Sequence, residues 1–404
     1  MKAVRQRLFI AIVASLMFSM FLSTPAGAAE PAKTLKIGAI GWEGWPMGLE
    51  LQRGCEIAAD VINKKGGIDI NGEKYKLEII PVDSKFTQEG GRSAAERLIY
   101  QDKVKFIIGD ETGDAWLPLT ESNKVLAIVQ APNPDVASPK YKLVFQGSPI
   151  PSQYPIFFGW LAKNMTSIKT IVVSMPDNRI GHFTADQVDQ FTARLGIKVV
   201  GKIFWPPDST DFSTIATKVR MLKPDGFAQF AGGPVNDSLI FKTVQQSGFK
   251  GQLICPSPVP TEFIKRAVPL EQVEGMIGAA YELEQQPMPA VSREFLDAYL
   301  AKYPKDYPEP TGANMLYILV KALEKAGSVD PEKVAAVLHQ GGASYESPVG
   351  KGIMIKRPDL GNDTYVDTVV GLSIKKIAGG KATVLHVMSP EEAYGYTKTA
   401  LGWK

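Results

Sequence analysis

The feature that most constrains this chain is an alternation. Short apolar runs of strand length are followed repeatedly by stretches with the apolar spacing of a helix. The run at 35–40 leads into Leu51, Cys55, Ala58 and Ile62, whose spacings of four, three and four mark one helix face. That pattern stops at Lys64-Lys65-Gly66-Gly67, cations and then glycine, as the helix dipole and a left-handed cap favour. Asn71-Gly72 reads as a hairpin turn between 68–70 and 74–82. A helix over 88–101 and strands at 104–108 and 125–129 complete a βαβαβ series, which implies a mostly parallel sheet with helices on both faces.

A second series begins near residue 153. Strands are expected at 170–175, 198–204, 226–231 and 252–255, with helices at about 183–195, 212–222 and 235–247 between them. Asp211 is placed to cap the middle helix, and Lys223-Pro224 ends it. Helices follow at 292–302, 312–326 and 331–340, then two short strands near 366–374 and 383–387. This tail has too little apolar pattern for a third core and is expected to pack back on the first two.

The first residues indicate export. Lys2, Arg5 and Arg7 precede an apolar run from Leu8 to Leu22, and Ala26-Gly27-Ala28 supplies a small-x-small cleavage site. The run is shorter than the ~20 residues of a membrane span. No cysteine follows it, so no lipid anchor is expected, and the periplasm is the expected location. Removing residues 1–28 takes away three basic residues, leaving 42 basic and 42 acidic. A neutral chain with no basic block is a poor match for nucleic acid or an anionic membrane. The roughly 375 residues that remain exceed one ordinary core, so two domains are expected. Cys55 and Cys255 fall in different halves and are read as small buried apolar residues rather than a disulfide.

Several segments, in collinear order from about 34 to 356, resemble the type 1 periplasmic solute-binding proteins of ABC importers, in the leucine/isoleucine/valine-binding group. They are LKIGAIG, RGCEIAADVINKKGGI, KYKLEIIPVDSK, AAERLIYQDKVKFIIG, STDFSTIATKVRMLKPDGF, VEGMIGAAY and NMLYILVKALEKAGSVDPEKVAAVL. The resemblance implies an α/β fold of two doubly wound lobes joined by three hinge crossovers, with the ligand cleft between them. The crossovers are expected near 147–152, 277–283 and 346–354. Residues 29–149 and 281–350 would form the first lobe, and 150–280 and 351–404 the second. It also implies a small organic solute as ligand, an inner-membrane ABC permease as partner, a monomer, no cofactor, no metal and no catalysis.

Ligands in open α/β sheets bind beyond the carboxyl ends of the strands. The loops there are 41–48, 109–116, 130–134, 176–182, 231–236 and 255–260. Amino-acid-binding members offer serine and threonine hydroxyls and backbone groups to the ligand carboxylate, and a second-lobe acid to its ammonium. Here Glu111, Thr112 and Gly113 stand where a serine-rich loop is usual, and Gln130 and Asn133 flank Ala131-Pro132. Ile180 replaces a common tyrosine, Ser257 stands at the position of the acid, and Gly233 lies in the loop 231–236. Trp42, Trp45, Trp116 and Tyr281 make the expected cleft aromatic. Two ligand chemistries remain open. Arg179 can pair with a ligand carboxylate while the tryptophans cover its apolar or planar part. Alternatively Glu43 and Glu111 can neutralise an ammonium inside an aromatic cage. The carboxylate is preferred. Trp205, ahead of Pro206-Pro207, is read as structural.

Enzymatic readings lack their motifs. Gly38, Gly41 and Gly44 do not have the G-x-G-x-x-G spacing, and Trp42, Glu43 and Trp45 would crowd and repel a pyrophosphate. There is no G-x-S-x-G, Walker loop or H-E-x-x-H, and the three histidines are scattered. A ligand-sensing protein that signals through a partner would show the same features as an importer component.

Overall fold

The computed structural model describes residues 32–44, 46–110, 115–130, 141–147, 150–280, 288–306, 308–357 and 362–403. The expected leader, 1–28, lies outside these residues.

The first sheet contains β1 (Lys33–Gly41), β2 (Ile68–Ile70), β3 (Glu73–Asp83), β4 (Phe106–Gly109), β5 (Leu126–Val129) and β6 (Val144–Gln146), in the order β2-β3-β1-β4-β5-β6. Only β2 runs antiparallel, through a hairpin with Asn71 and Gly72 both at positive φ. β4, β5 and β6 are buried on both faces, as a parallel sheet under helices requires. Phe106, Ile108, Leu126 and Ile128 point into one core with Leu51 and Cys55 of α1 (Pro46–Lys64). Ile107, Ala127 and Val129 point into the other, with Leu98 and Leu117 from around α2 (Gln88–Glu96) and α3 (Leu117–Ser122). Three later helices, α9 (Ala290–Lys302), α10 (Thr311–Ala326) and α11 (Pro331–Gln340), return to this sheet and add Phe295, Leu316, Leu319 and Leu338 to the first core.

The second sheet takes β7 (Thr170–Pro176), β8 (Lys198–Trp205), β9 (Gly226–Gln229), β10 (Gln252–Cys255) and β11 (Ile277–Ala280) in parallel. Two antiparallel strands, β15 (Ser373–Ala378) and β16 (Lys381–Val387), extend it, giving the order β16-β15-β11-β10-β9-β7-β8. Its helices are α4 (Ile150–Asn164), α5 (Arg179–Arg194), α6 (Ser213–Leu222), α7 (Gly233–Gln246), α8 (Thr261–Ala267) and α12 (Pro390–Leu401). This is the arrangement of two doubly wound α/β units that the resemblance implies.

A small third sheet joins the lobes: β12 (Ser344–Ser347), β13 (Gly350–Arg357) and β14 (Asn362–Val370), all antiparallel. Successive strand residues point to opposite faces. Met354 therefore enters the first core and its neighbour Ile355 the second, so β13 runs between the two. The strand expected at 366–374 is broken at 371–372 into β14 and β15, which belong to different sheets. Near the start of α10, Asn314 is fully buried. Its Nδ2 donates to Gly147 O (3.0 Å), and Ser347 Oγ donates to its Oδ1 (2.8 Å). One side chain thus touches two of the crossovers. Both cysteines are free and buried, and loss of hydration pushes both thiols up.

Candidate functional site

In the first sheet β1 has β3 on one side and β4 on the other, so the chain's path reverses direction between the carboxyl ends of β1 and β4. That reversal opens the crevice where ligands of doubly wound folds sit. Trp42 follows β1 directly, and its ring stacks on Phe86, with centroids 5.1 Å apart and planes 19° apart. Phe86 belongs to the loop after β3, which the sequence reading did not count among the cleft loops. It is 43% exposed, and both it and Lys85 hold φ near +52°. Such left-handed geometry at a bulky residue costs on the order of 1–3 kcal/mol and persists only where the surroundings dictate it.

The surroundings do so here. Asp83 Oδ1 accepts from Glu43 N (3.1 Å) and Lys85 N (2.8 Å). The fully buried Ser84 donates its hydroxyl to Asp110 Oδ2 (2.6 Å) and its backbone N–H to Gly41 O (2.9 Å). The same hydroxyl accepts from Phe86 N (3.2 Å). Loops after β1, β3 and β4 are thereby tied into one surface. Gly48 lets α1 start against this surface, because a Cβ there would meet Trp42 N at 2.6 Å. The Glu43 side chain is exposed.

Trp116 is a correction. It is fully buried in the core that contains Leu98, Leu117 and Val129, and its ring packs where a Cβ on Gly109 would otherwise sit. It supports the floor of the β4 loop and is not part of the cleft surface. Gln130 is also buried, and its N–H donates to Gly109 O (2.8 Å), joining the ends of β4 and β5. Trp45, Glu111, Thr112, Gly113, Asn133 and Tyr281 lie outside the described residues.

In the second lobe, Arg179 is the exposed first residue of α5, whose N-terminus is capped by Asn178 Oδ1 accepting from Gly181 N (2.9 Å). Ile180 beside it is half-buried. Asp177 is engaged by His182 (2.8 Å), which stacks on Phe204 at 4.3 Å. Gly233, at φ +76°, opens α7 next to Ala231, also left-handed at +54°. Asp237 lies beneath this turn and accepts from Gln229 Nε2 (3.0 Å) and Gly232 N (3.1 Å). Burial pushes its carboxyl up to about 7 against those donors. Ser257 Oγ lies 3.3 Å from the hydroxyl of Tyr154, which packs edge-on against Phe230. Tyr154, on the helix after the first crossover, was not picked out in the sequence because nothing in a helical apolar pattern marks a hydroxyl that reaches a loop. Trp205 is buried against Phe212, a packing role.

Beside this end of the first lobe lies a group of acids. Glu50, on α1, is 4% exposed. Burial, reinforced by Glu309 and Asp306, pushes its carboxyl up to about 9, while Arg266 and Arg53 pull the other way. Glu309 is itself raised to about 7 by burial, opposed by hydrogen bonds from Thr311. Arg53 pairs with Asp306 and lies over the Tyr303 ring at 4.3 Å. Arg266 belongs to α8 beside the second sheet, and its charge favours the ionised form of Glu50.

A cavity of about 740 Å³ lies elsewhere, lined by Ile62, Lys65, Tyr317, Lys351 and Ser389 among others. Ile62 and Lys65 mark the C-terminal end of α1, hence the amino ends of the strands, so this is not the cleft. Among the described residues no cluster of His, Cys, Asp and Glu is arranged to hold a metal ion, and no helix is long and apolar enough to cross a membrane.

Comparison with known proteins agrees with this geometry. The family profile described as "Periplasmic binding protein" matches residues 36–366. The leucine-, isoleucine-, valine-, threonine-, and alanine-binding protein of Pseudomonas aeruginosa is 28% identical over 359 residues, covering 85% of this chain and 92% of that one. A solved leucine-binding protein from Thermotoga maritima superposes with a TM-score of 0.68 at 24% identity, covering 89% of this chain and 99% of its own. An ABC-transporter solute-binding protein from R. palustris, solved in complex with benzoate, gives a TM-score of 0.66 at 18% identity, covering 88% of this chain and 97% of its own.

Proposed function

The chain belongs to the periplasmic binding protein family, in its leucine/isoleucine/valine-binding group, and from that premise we propose that it captures a small carboxylate with an apolar or aromatic body. Members of this family bind solutes and do not catalyse, so the chain is a solute-binding protein and not an enzyme. In our reading it is exported to the periplasm with its leader cut near Ala28. There it closes around the solute as a monomer and presents it to an inner-membrane ABC permease. The lobes divide at 29–149 with 281–350, and 150–280 with 351–404. Support for this division comes from the return of α9–α11 to the first sheet and of β15, β16 and α12 to the second.

The observation that carries the ligand reading is the charge of the second-lobe loops. Among their described residues Arg179 and Asp177 are exposed charges, Arg179 with interactions of its own and Asp177 beside His182, and Asp237 lies buried beneath its turn. Ser257, at the position expected for an ammonium-binding acid, offers only a hydroxyl beside that of Tyr154. A guanidinium facing a carboxylate makes two charge-assisted hydrogen bonds. On the other lobe the Trp42 and Phe86 rings are stacked nearly parallel, whereas a quaternary-ammonium cage needs rings turned toward one point. The fold accommodates such a ligand, as the benzoate complex of the R. palustris protein illustrates.

A thermal-shift screen tests the reading with benzoate, phenylacetate, branched aliphatic acids, amino acids and quaternary amines. Carboxylates are expected to raise Tm, and Arg179→Ala to weaken their binding by about tenfold or more, the range of a hydrogen bond to a charged group. Stabilisation by quaternary amines alone would refute it.

A further inference from the structure

We propose that Asp237 is a positioning residue of the cleft, fixing from below the turn Ala231-Gly232-Gly233 in the shape that the second lobe presents to the solute. The inference rests on the reading of the chain as a carboxylate binder and adds a residue that acts on that site without touching the ligand.

The place of the turn comes first. In the second sheet β7 has β8 on one side and β9 on the other, so a crevice opens in this lobe between the carboxyl ends of β7 and β9. The chain leaving β7 leads to Arg179, and the chain leaving β9 is this turn. Phe230 N donates to Ser174 O (2.9 Å) and joins the two strand ends. Movement of the turn is therefore movement of the crevice wall.

Asp237 sets the conformation of the turn. Ala231 is left-handed at φ +54°, Gly232 right-handed at −88° and Gly233 left-handed at +76°. Alanine disfavours that conformation, and such alternation swings successive N–H groups toward one concave side. Asp237 lies on that side, where its Oδ1 accepts from Gly232 N (3.1 Å) and from Gln229 Nε2 (3.0 Å). Gln229 Nε2 also donates to Phe230 O (3.0 Å). One oxygen thus grips both the end of β9 and the middle of the turn.

Packing alone does not call for an acid here. Ile240, Phe241 and Val244 of the same helix fill the core with apolar side chains, whereas Asp237 and Gln229 are polar and just as buried. Burying a carboxyl costs free energy that its bonds must offset, and among the described residues those bonds go to the turn and the strand end, with Oδ2 left without a partner. Burial pushes the carboxyl up to about 7, so below that pH it holds the turn as a neutral acceptor, which asparagine reproduces.

The test compares the full chain with Asp237→Ala, Asp237→Asn and Val244→Ala at pH 6, by calorimetry with benzoate, phenylacetate and 2-methylbutyrate and by hydrogen exchange without ligand. Circular dichroism and thermal melts show which variants fold. Asp237→Ala should weaken binding by about tenfold and quicken exchange over 230–234 ahead of β7, while Asp237→Asn should bind within about threefold of wild type. Val244→Ala, which removes core packing from the same helix, should lower Tm and leave affinity unchanged. If Asp237→Ala does not fold, Gly232→Ala reads the same contact, because its Cβ would point inward, 2.3 Å from Asp237 Oδ1, and displace the carboxyl. It too should weaken binding. Wild-type affinity in whichever of these two variants is read overturns the proposal while leaving carboxylate capture standing. So does an Asp237→Asn as weak as the alanine variant, or a Val244→Ala that loses as much affinity. A wild type that binds none of the acids overturns the carboxylate reading, and exchange over 230–234 then decides the positioning role, wild-type rates overturning it.

Discussion

Glu50 shows how a single residue can set the response of this protein to pH. Its folded-state carboxyl is raised to about 9 from an ordinary 4.5, chiefly by burial. Between those values the native state keeps a proton that the unfolded chain has lost, so stability falls as pH rises through the window. Glu309 adds the same sign over a shorter window ending near 7. Urea unfolding should therefore show a lower midpoint at pH 8.5 than at pH 5. Glu50→Gln, which has no proton to lose, should reduce that difference and be the more stable form at pH 8.5. Parallel behaviour of the two proteins would mean that Glu50 is ionised in the folded state. At the same scale, Gly109→Ala should destabilise by about 1–3 kcal/mol in a denaturant titration, since a methyl group must displace the buried Trp116 ring. Three aromatic residues show what single positions reveal. The place of Trp42 at the carboxyl end of β1 was legible because it follows an apolar run directly. Trp116 was misread because a tryptophan after a glycine-rich loop looks the same whether its ring turns outward or into the space a glycine leaves. The left-handed turn at Lys85-Phe86 was missed because positive φ at Lys-Phe has no signature in residue type.

At the scale of elements, the βα alternation was legible almost throughout, since apolar spacing is what burial on a sheet demands. The failures lie where that demand changes. Strand β13 carries Ile353, Met354 and Ile355 in succession and shows no alternation, because its two faces enter different cores. Helix α12 was not expected, although Ser389 accepts from Glu392 N (3.2 Å) in the S-x-x-E arrangement of a capping box. Its apolar face is modest, and it is held by docking on α4 and α5 rather than by its own periodicity. Ser389→Ala should cost about 1 kcal/mol, the ordinary value of an N-cap. Because the loss is local, hydrogen exchange should quicken over 390–401 before it quickens in β7 or β9. Uniform acceleration across the second lobe would instead show that α12 opens only when the whole lobe does.

For the whole molecule, capture depends on how firmly the crossovers fix the two lobes. Asn314 is a buried point between two of the expected crossovers, because it bonds Gly147 at the first and Ser347 just before β13. Replacing it with alanine leaves a buried carbonyl and a buried hydroxyl without that partner, a loss of about 1–3 kcal/mol. Stability alone would not distinguish a hinge role from packing, so the useful readout is coupling. A ligand that binds only the closed form has its affinity reduced by the fraction of molecules able to close in register. Asn314→Ala should therefore weaken carboxylate binding by about fivefold to tenfold although it touches no cleft loop. Small-angle scattering should show a smaller ligand-induced contraction at equal ligand saturation. Ser347→Ala, which spares the Gly147 bond, should fall between the two proteins. If Asn314→Ala lowers Tm yet leaves affinity and contraction at wild-type values, the residue only fills the core, and the crossovers are positioned by the packing of β13 between the lobes.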